Sequence, residues 1–297
     1  MGALRTKMIE EMRLRNFSAR TEQSYGAAMV GLTVVAAIFA TLPLVLILGL
    51  LIQKGASSLS WDFFTAMPKP VGETGGGMAN AMMGTLMLIG IASAIGLPVG
   101  IGAGLYLAEH RGTKVAFVVR FLSDVLNGLP SIVMGIFAWQ FLVRPIGHFS
   151  ALAGGIALAA MMIPLVTRAT EEMIHLVPSS LREAALALGY PRWRTSLTVV
   201  LRTALPGIVT AALVAVARIA GETAPLLFTA FGNQFWSTSV NEPISALPIQ
   251  IFTYAISPYD EWHSLAWAGA LVLLALVLVI SLIARFVTRS RFSGGHD

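Results

Sequence analysis

Six long apolar stretches limit what this 297-residue chain can fold into. Each holds at least 17 residues, so a helix rising about 1.5 Å per residue crosses, or nearly crosses, a hydrocarbon layer about 30 Å thick. Transmembrane β-strands are far shorter, and backbone groups in lipid need partners within the protein, so the stretches predict helices. The predicted spans are Ala27–Ile52, Ala81–Leu107, Phe121–Val143, Ala151–Thr167, Leu205–Phe231 and Leu265–Ala284.

Composition agrees with this assignment. Only 12% of the residues are charged and 56% are hydrophobic, whereas a soluble domain carries about 25% charged residues. The predicted fold class is therefore an all-α integral membrane protein. The first span is longer than the roughly 7–15 apolar residues of a signal peptide, and we interpret it as a retained anchor.

Basic residues are distributed unevenly among the connections. Sixteen of the 20 Lys and Arg residues lie in the N-terminal segment, the second-to-third and fourth-to-fifth connections and the C-terminal tail. The positive-inside rule places these parts in the cytoplasm. The sequence thus predicts a cytoplasmic segment over 1–24, a transmembrane domain over 25–287 and a cytoplasmic tail over 288–297, in a bacterial-type inner membrane. We assign the net charge of +5 to contact with anionic lipid rather than with nucleic acid.

The sequence lacks the residues that several catalytic sites require. It contains no cysteine, and its five histidines stand apart, which argues against a metal site and a thiol nucleophile. None of its four lysines follows a glycine, so it has no Gly-Lys-Ser/Thr of a phosphate-binding Walker A loop. We therefore predict that this chain is not an enzyme and holds no cofactor of its own.

The fifth span contains an arginine and a carboxylate in the stretch "ARIAGETAPLLFTA". Arg218 and Glu222 are four residues apart, a spacing that places two side chains on one helix face. One interpretation is a structural ion pair that fastens this span to a neighbour. The other is a substrate path, because a guanidinium offers a planar fork of donors that matches the oxygens of phosphate. Thr223 would add a hydroxyl to such a path.

A carboxylate beside an anion path needs an explanation of its own. Glu222 would occupy the Arg218 fork while the path is closed, or it would accept a hydrogen bond from the P–OH of phosphate. Sulfate is fully deprotonated at neutral pH and has no such donor, so the carboxylate would repel it. The two hypotheses are compatible.

Four other features carry narrower predictions. Asn80 is either the N-cap of the second span or a substrate contact, and Arg120 and Asp124 are expected to form a structural pair. Pro130 predicts a kink in the third span. The outer segments 56–77 and 232–264 mix aromatic and polar residues, which predicts short interfacial helices that either anchor the chain or dock an external partner.

The fourth-to-fifth connection contains "VPSSLREAALALGYPRWRT". Pro178 ends one helix, a serine caps the next, and Gly189 ends that helix, after which "YPRWRT" starts a second short helix. The segment is either an ordinary amphipathic surface helix or an element that inserts into a groove of another protein. "REAALALG" resembles the EAA loop of ABC-transporter permeases, with matches at Glu183, Ala184, Ala185 and Gly189. Where that loop has a later proline, this sequence has Arg202.

Three further motifs sharpen the resemblance. "GGGMANAMMGT", "GLPSIVMGIFAW" and "ARIAGETAPLLFTA" resemble the phosphate-uptake permeases of the PstA type over residues 25–285. Related sulfate and molybdate permeases carry Arg-x-x-Gly-Glu-Phe-Gly at the last motif, where this chain continues Thr-Ala-Pro.

The resemblance implies a six-helix type I ABC importer permease with a cytoplasmic coupling helix in the loop of about 176–202. It also implies inorganic phosphate as the substrate, passing near Arg218, and partners that this chain lacks. These partners are a second related permease, two ATP-binding subunits that hold ATP and Mg²⁺, and an external phosphate-binding protein. The alternatives are a permease for sulfate or molybdate, a secondary transporter or channel, and an intramembrane enzyme. The absence of a detectable inverted repeat and of paired buried carboxylates disfavours the last two classes.

Overall fold

A computed structural model describes residues 19–73 and 75–292, which are predominantly helical. Most of the predicted N-terminal segment 1–24 and the end of the predicted tail 288–297 lie outside these ranges. The chain divides into two compact units, Met1–Gln53 and Lys54–Asp297. The described part of the first unit belongs to helix α1, Ala19–Ser57.

Helix α1 is predominantly apolar from Gly26 to Ile52. Nearly all of its side chains between Gly26 and Leu50 are exposed, as expected of a surface that faces lipid. The hydroxyls of Thr33 and Thr41 donate to the carbonyls of Met29 and Ala37 at 2.8 and 2.9 Å. Each hydroxyl therefore has a partner within the helix, which removes the cost of an unpaired donor in hydrocarbon.

The remaining helices belong to the second unit and include four more spans. They are α2 Trp61–Thr65, α3 Ala79–Glu109, α4 Lys114–Gly128, α5 Ser131–Ile146, α6 Ala151–His175, α7 Ser179–Ala187, α8 Arg192–Ala220, α9 Ala224–Thr229, α10 Leu247–Ala255 and α11 Asp260–Phe292. Five helices, namely α1, α3, α6, α8 and α11, are long and apolar enough to cross a membrane, and the bent pair α4–α5 forms a sixth candidate. The prediction of a multi-span all-α protein is confirmed.

Helices α3 and α6 form the centre of the second unit and pack through small residues. A Cβ added at Gly96, Gly100 or Gly104 of α3 would come within 2.6–2.7 Å of an atom of α6. Their four-residue spacing places the three glycines on one face, so the two backbones approach closely. This contact provides the frame against which the other helices are positioned.

The third predicted span, Phe121–Val143, is broken rather than kinked. Helix α4 ends at Gly128, and α5 begins at Ser131 after a bend of 108°. Pro130 accounts for the break, because proline disfavours helical geometry in the preceding residue and has no N–H for the helix ladder. Leu129 accordingly has extended dihedrals, with φ −73° and ψ 138°.

The fifth predicted span, Leu205–Phe231, is wrong at both ends. Helix α8 starts at Arg192, so "YPRWRT" leads directly into the span instead of forming a separate short helix. At the other end α8 stops at Ala220, and α9 begins at Ala224. Pro225 explains this stop, because it cannot donate to the carbonyl four residues earlier and its ring would clash with that carbonyl.

The segment between α9 and α10 covers the N-terminal ends of α3 and α6. Backbone N–H groups of Ala151 and Leu152, at the start of α6, donate to the carbonyls of Glu242 and Val240 at 2.9 and 2.8 Å. The hydroxyl of Thr85 in α3 accepts the N–H of Leu247 at 2.8 Å. Otherwise unpaired helix-end donors are thus satisfied within the chain. The predicted short helices of the two outer segments are present as α2 and α10.

Candidate functional site

Arg218 lies in the last turn of α8 with its side chain exposed. Its neighbour Ile219 is buried in a core cluster that also contains Ala92, near the middle of α3, and Leu158 of α6. Position 218 therefore borders the core of the bundle, next to the break between α8 and α9. Within the described ranges the guanidinium forms no ion pair, so its charge is left for water, an anion or a partner subunit to balance.

Glu222 and Thr223 lie in the turn between α8 and α9 and are half-buried. The expectation that Arg218 and Glu222 share one helix face is wrong, because the helix ends between them. Among the described residues no ion pair joins their side chains. The backbone N–H of Glu222 still closes the last turn by donating to Ile219 at 3.1 Å. Among the described residues, an arginine without an ion pair thus lies in the last turn before the helix break, and a carboxylate without an ion pair lies within the break.

Close packing against α5 holds this turn in place. A Cβ added at Gly135 of α5 would lie 2.8 Å from the Cα of Pro225 and 3.3 Å from the carbonyl oxygen of Ala224. Such an approach is possible only because glycine has no side chain. The two chain breaks, at Pro130 and at Pro225, thus meet through α5 and α9, and the geometry around Glu222 depends on both.

Asn80 does not belong to this turn. It is not the N-cap of α3, since the cap residue is Met78. Its buried side chain donates from Nδ2 to the carbonyl of Asn233 at 2.6 Å, and its Oδ1 has no partner in the described part of the chain. The amide therefore fastens the segment between α9 and α10 to α3.

A cluster of four charges joins α4 to α6 and was not predicted. The carboxylate of Glu171, 3% exposed, contacts Arg120 at 2.5 Å and Arg168 at 2.6 Å. Arg168 also contacts Asp124 at 3.0 Å. The predicted Arg120–Asp124 pair is wrong, because each of the two residues pairs with α6 instead. The three-residue spacing of Arg168 and Glu171 was the only sign of the cluster in the sequence.

The predicted coupling segment lies at the C-terminal end of α3, the end opposite to Asn80. Its helix, α7, is fastened by an ion pair of 2.7 Å between Arg182 and Glu109, the last residue of α3. Ala185 is buried on the inner side, whereas Glu183 and Ala184 are exposed. The expected serine cap is absent, since Pro178 is the N-cap and makes no side-chain hydrogen bond.

Gly189 ends α7 as predicted. Its φ of +84° lies in the left-handed region, and the N–H of Tyr190 donates to Ala185 at 3.2 Å. This is the hydrogen bond of a Schellman C-cap, which favours glycine. Leu188 and Trp193, on either side of the turn, are 79% and 67% exposed. The turn therefore presents an apolar ridge that is available for another protein.

The described residues contain no group of three or more His, Asp or Glu side chains able to hold a metal ion. The two candidate sites are therefore a polar helix break beside the core of the bundle and an exposed turn at the end of the bundle that carries α7.

Comparisons with known proteins find matches over most of the chain. Residues 100–292 match the family described as binding-protein-dependent transport system inner membrane component. The chain is 50% identical over 237 residues to the phosphate transport system permease protein PstA of Yersinia pestis, covering 80% of each chain. It is 47% identical over 261 residues to the protein of the same name from Xylella fastidiosa, covering 87% of this chain and 91% of the relative.

A solved structure shows the same fold. A chain of a bacterial alginate ABC transporter, in complex with an alginate pentasaccharide-bound periplasmic protein, superposes with a TM-score of 0.63. The sequences are 15% identical, and the match covers 91% of this chain and 96% of the other.

Proposed function

We propose that Arg218 and Glu222 form part of the substrate path, from the premise that this chain belongs to the family of phosphate transport system permeases. The chain is therefore a multi-pass inner-membrane subunit of an ATP-driven phosphate importer and works with the other components of that system. It is a permease and not an enzyme. The alternatives of a sulfate or molybdate permease, a secondary transporter and a channel are less well supported than this one.

The single observation that carries the proposed path is the exposed guanidinium of Arg218 beside the core of the bundle, which forms no ion pair in the described part of the chain. An arginine that faces hydrocarbon within a span costs up to about 2.5–3.5 kcal/mol on insertion scales, the upper values applying at the centre. A polar cavity between this chain and a second permease removes that cost. The fork then meets a passing phosphate through two parallel N–H···O bonds.

Glu222 acts on selectivity in this proposal. The helix break separates its carboxylate from Arg218, so the path is not closed by a preformed pair within this chain. Thr223 adds a hydroxyl beside the carboxylate. The carboxylate accepts a hydrogen bond from the P–OH of phosphate and repels sulfate, which has no proton to donate.

A Glu222→Gln variant tests this assignment. Because an amide accepts a hydrogen bond but carries no charge, we expect sulfate inhibition of phosphate uptake to rise about tenfold, equivalent to about 1.4 kcal/mol. The measurement is the sulfate concentration that halves phosphate uptake by the assembled importer. Equal values for the variant and the natural protein would remove the selectivity role while leaving Arg218 in the path.

Coupling to ATP occurs through α7 and the following turn in this proposal. We expect two ATP-binding subunits, which hold ATP and Mg²⁺, to receive the ridge of Leu188 and Trp193 in a cleft. Closure of these subunits then moves α7, and the Arg182–Glu109 ion pair transmits the movement to α3. A second permease and an external phosphate-binding protein complete the complex. In this arrangement both termini are cytoplasmic.

A Gly189→Val variant tests the coupling assignment. A β-branched residue at φ +84° is strained by about 1–2 kcal/mol, so the turn relaxes and the ridge shifts. We expect phosphate-stimulated ATP hydrolysis by the purified complex to fall about tenfold with its subunits still assembled.

The matched control is Gly112→Val, on the adjacent connection between α3 and α4. An added Cβ meets nothing within 4 Å at either glycine, but Gly112 does not have a positive φ. We expect the Gly112 variant to retain full coupling. An equal loss in both variants, or no loss in either, would contradict the assignment of the turn.

A further inference from the structure

A cavity with charged and hydroxyl side chains in a partly apolar lining lies at the end of the bundle away from α7. Its volume is about 640 Å³, and all of its lining residues belong to the second compact unit. The lining comes from the last turn of α1, from α10 and from the first turns of α11. Its polar and aromatic members are Lys54, Ser57, Ser58, Asp260, His263, Ser264 and Trp267.

The cavity contains one lysine and one carboxylate that are not paired with each other. The ammonium of Lys54 lies 5.4 Å from the ring centroid of Trp267 and forms no ion pair in the described part of the chain. The carboxylate of Asp260 is fully exposed, and its Oδ1 lies 3.7 Å from Nδ1 of His263. The Nε2 of the same imidazole contacts the carbonyl of Ser257 at 2.7 Å, which fixes the ring toward Asp260. One positive and one negative centre are therefore available to a ligand.

The serine hydroxyls add acceptors rather than donors. Ser57 and Ser58 donate to the carbonyl of Lys54 at 2.9 and 3.4 Å, and Ser264 donates to the carbonyl of Asp260 at 3.1 Å. With its proton used in this way, each oxygen presents lone pairs to the cavity. The acceptors near Asp260 thus suit a group that carries several N–H donors.

The position of the cavity along the spans is that of a lipid headgroup. Lys54 lies in the last turn of one membrane-spanning helix, and Asp260 lies in the first turn of another. Trp267 follows about two turns deeper, and its ring is half-buried. Lysine, tryptophan and polar residues at such helix ends are typical of the membrane–water interface.

We propose that this cavity binds the headgroup of an aminophospholipid of the phosphatidylethanolamine type. The phosphodiester contacts the ammonium of Lys54, and the ethanolamine ammonium donates to Asp260 and Ser264. The acyl chains extend from the headgroup along the apolar surface of α11. The site binds the lipid of the leaflet on the side away from α7.

The positive and the negative charge of the phosphatidylethanolamine headgroup, together with its N–H donors, distinguish this ligand from related ones. A choline headgroup carries the same charges but has no N–H to donate to Asp260 and Ser264. A glycerol headgroup lacks the positive charge. Free inorganic phosphate meets Lys54 but leaves Asp260 unpaired and is repelled by it. The cavity therefore favours phosphatidylethanolamine over each of the three.

The test titrates the purified, delipidated importer with phospholipids that share acyl chains and differ in headgroup. Lipid retained on the complex is counted by native mass spectrometry. We expect phosphatidylethanolamine to bind about three- to fivefold more tightly than phosphatidylglycerol or phosphatidylcholine, as one exposed ion pair allows. Asp260→Asn should abolish this preference, and Lys54→Gln should weaken phosphatidylethanolamine and phosphatidylglycerol alike.

The matched controls are Glu261→Gln, adjacent to Asp260 but outside the cavity lining, and Arg144→Gln, which removes a side chain that bonds Gln140 on α5. Both should retain the preference. Equal binding of the three lipids by the natural chain, or a preference unchanged by Asp260→Asn, would overturn the proposal. Displacement of the bound lipid by millimolar inorganic phosphate would assign the site to the free anion and would overturn the lipid assignment.

Discussion

Replacing Arg218 by glutamine is expected to reduce phosphate uptake at least about 100-fold, with the importer complex still assembled. Glutamine retains hydrogen-bonding capacity but loses the charge and the two-pronged geometry that match phosphate oxygens. Hydrogen bonds to a charged group contribute about 1.5–3 kcal/mol each, and two of them together correspond to a loss of this size. The measurement is the initial rate of radiolabelled phosphate uptake by cells or vesicles that contain the complex.

Two variants control for the loss of charge and of bulk. Arg218→Lys keeps the charge without the planar fork, so we expect its uptake rate to lie between those of the natural protein and the Arg218→Gln variant. Arg202→Gln removes an exposed arginine from the same helix, about five turns from the break, and should leave uptake nearly unchanged. A rate for Arg218→Gln within twofold of that for Arg202→Gln would exclude Arg218 from the path.

Replacing Glu171 by glutamine is expected to destabilise the protein by about 3 kcal/mol. The substitution removes the carboxylate that balances Arg120 and Arg168 where α4 meets α6. Breaking a buried ion pair by removing one partner costs about 3–5 kcal/mol, and the lower value applies because the two arginines are about 30% exposed. For a chain of this size the unfolding midpoint should fall by about 6 °C or more.

Asp124→Asn is the matched control in the same cluster. Its side chain is 54% exposed, and its ion pair within the described residues is with Arg168, so solvent screens the lost interaction. We expect a cost below about 1 kcal/mol. The midpoint is measured by thermal unfolding of the purified complex. Equal midpoints for the two variants would contradict the inference that Glu171 is the centre of the cluster.

The membrane fold is readable from the sequence because it depends on local composition. Apolar stretches of span length have one stable form in lipid, and no distant contact is needed to predict them. The end of α7 is readable for the same reason, since Gly189 supplies a left-handed residue at the end of a short helix. Local chemistry of this kind accounts for the number of candidate spans and for the exposed turn.

The helix breaks are harder to predict from the sequence. Pro130 indicates a kink, yet Leu129 adopts extended geometry and the chain turns by 108°. Pro225 follows Gly221 by four residues, the spacing at which proline excludes the helical hydrogen bond, and this signal is sufficient to end α8 before Glu222. Apolar composition continues through both breaks, which is why composition alone predicts uninterrupted spans.

The charge cluster around Glu171 shows where sequence reasoning stops. Arg120 and Asp124 are separated by one turn on α4 and would pair in an isolated helix. Packing places α6 beside them, and Glu171 and Arg168 are then better partners. Nothing local to α4 or α6 indicates this exchange, because it depends on the close approach of the two helices in the folded bundle.

The accessibility of position 218 to water and phosphate tests the central claim most directly. The chain contains no cysteine, so Arg218→Cys places a single thiol in it. A charged methanethiosulfonate reacts with the thiolate only where water reaches, and Val279→Cys, on the apolar surface of α11, provides a lipid-facing control. We predict that the thiol at 218 in the assembled importer reacts at least about tenfold faster than the thiol at 279 and that phosphate under transport conditions slows the reaction. Reaction at 218 as slow as at 279, or at a rate that phosphate does not change, would contradict a substrate path beside this residue.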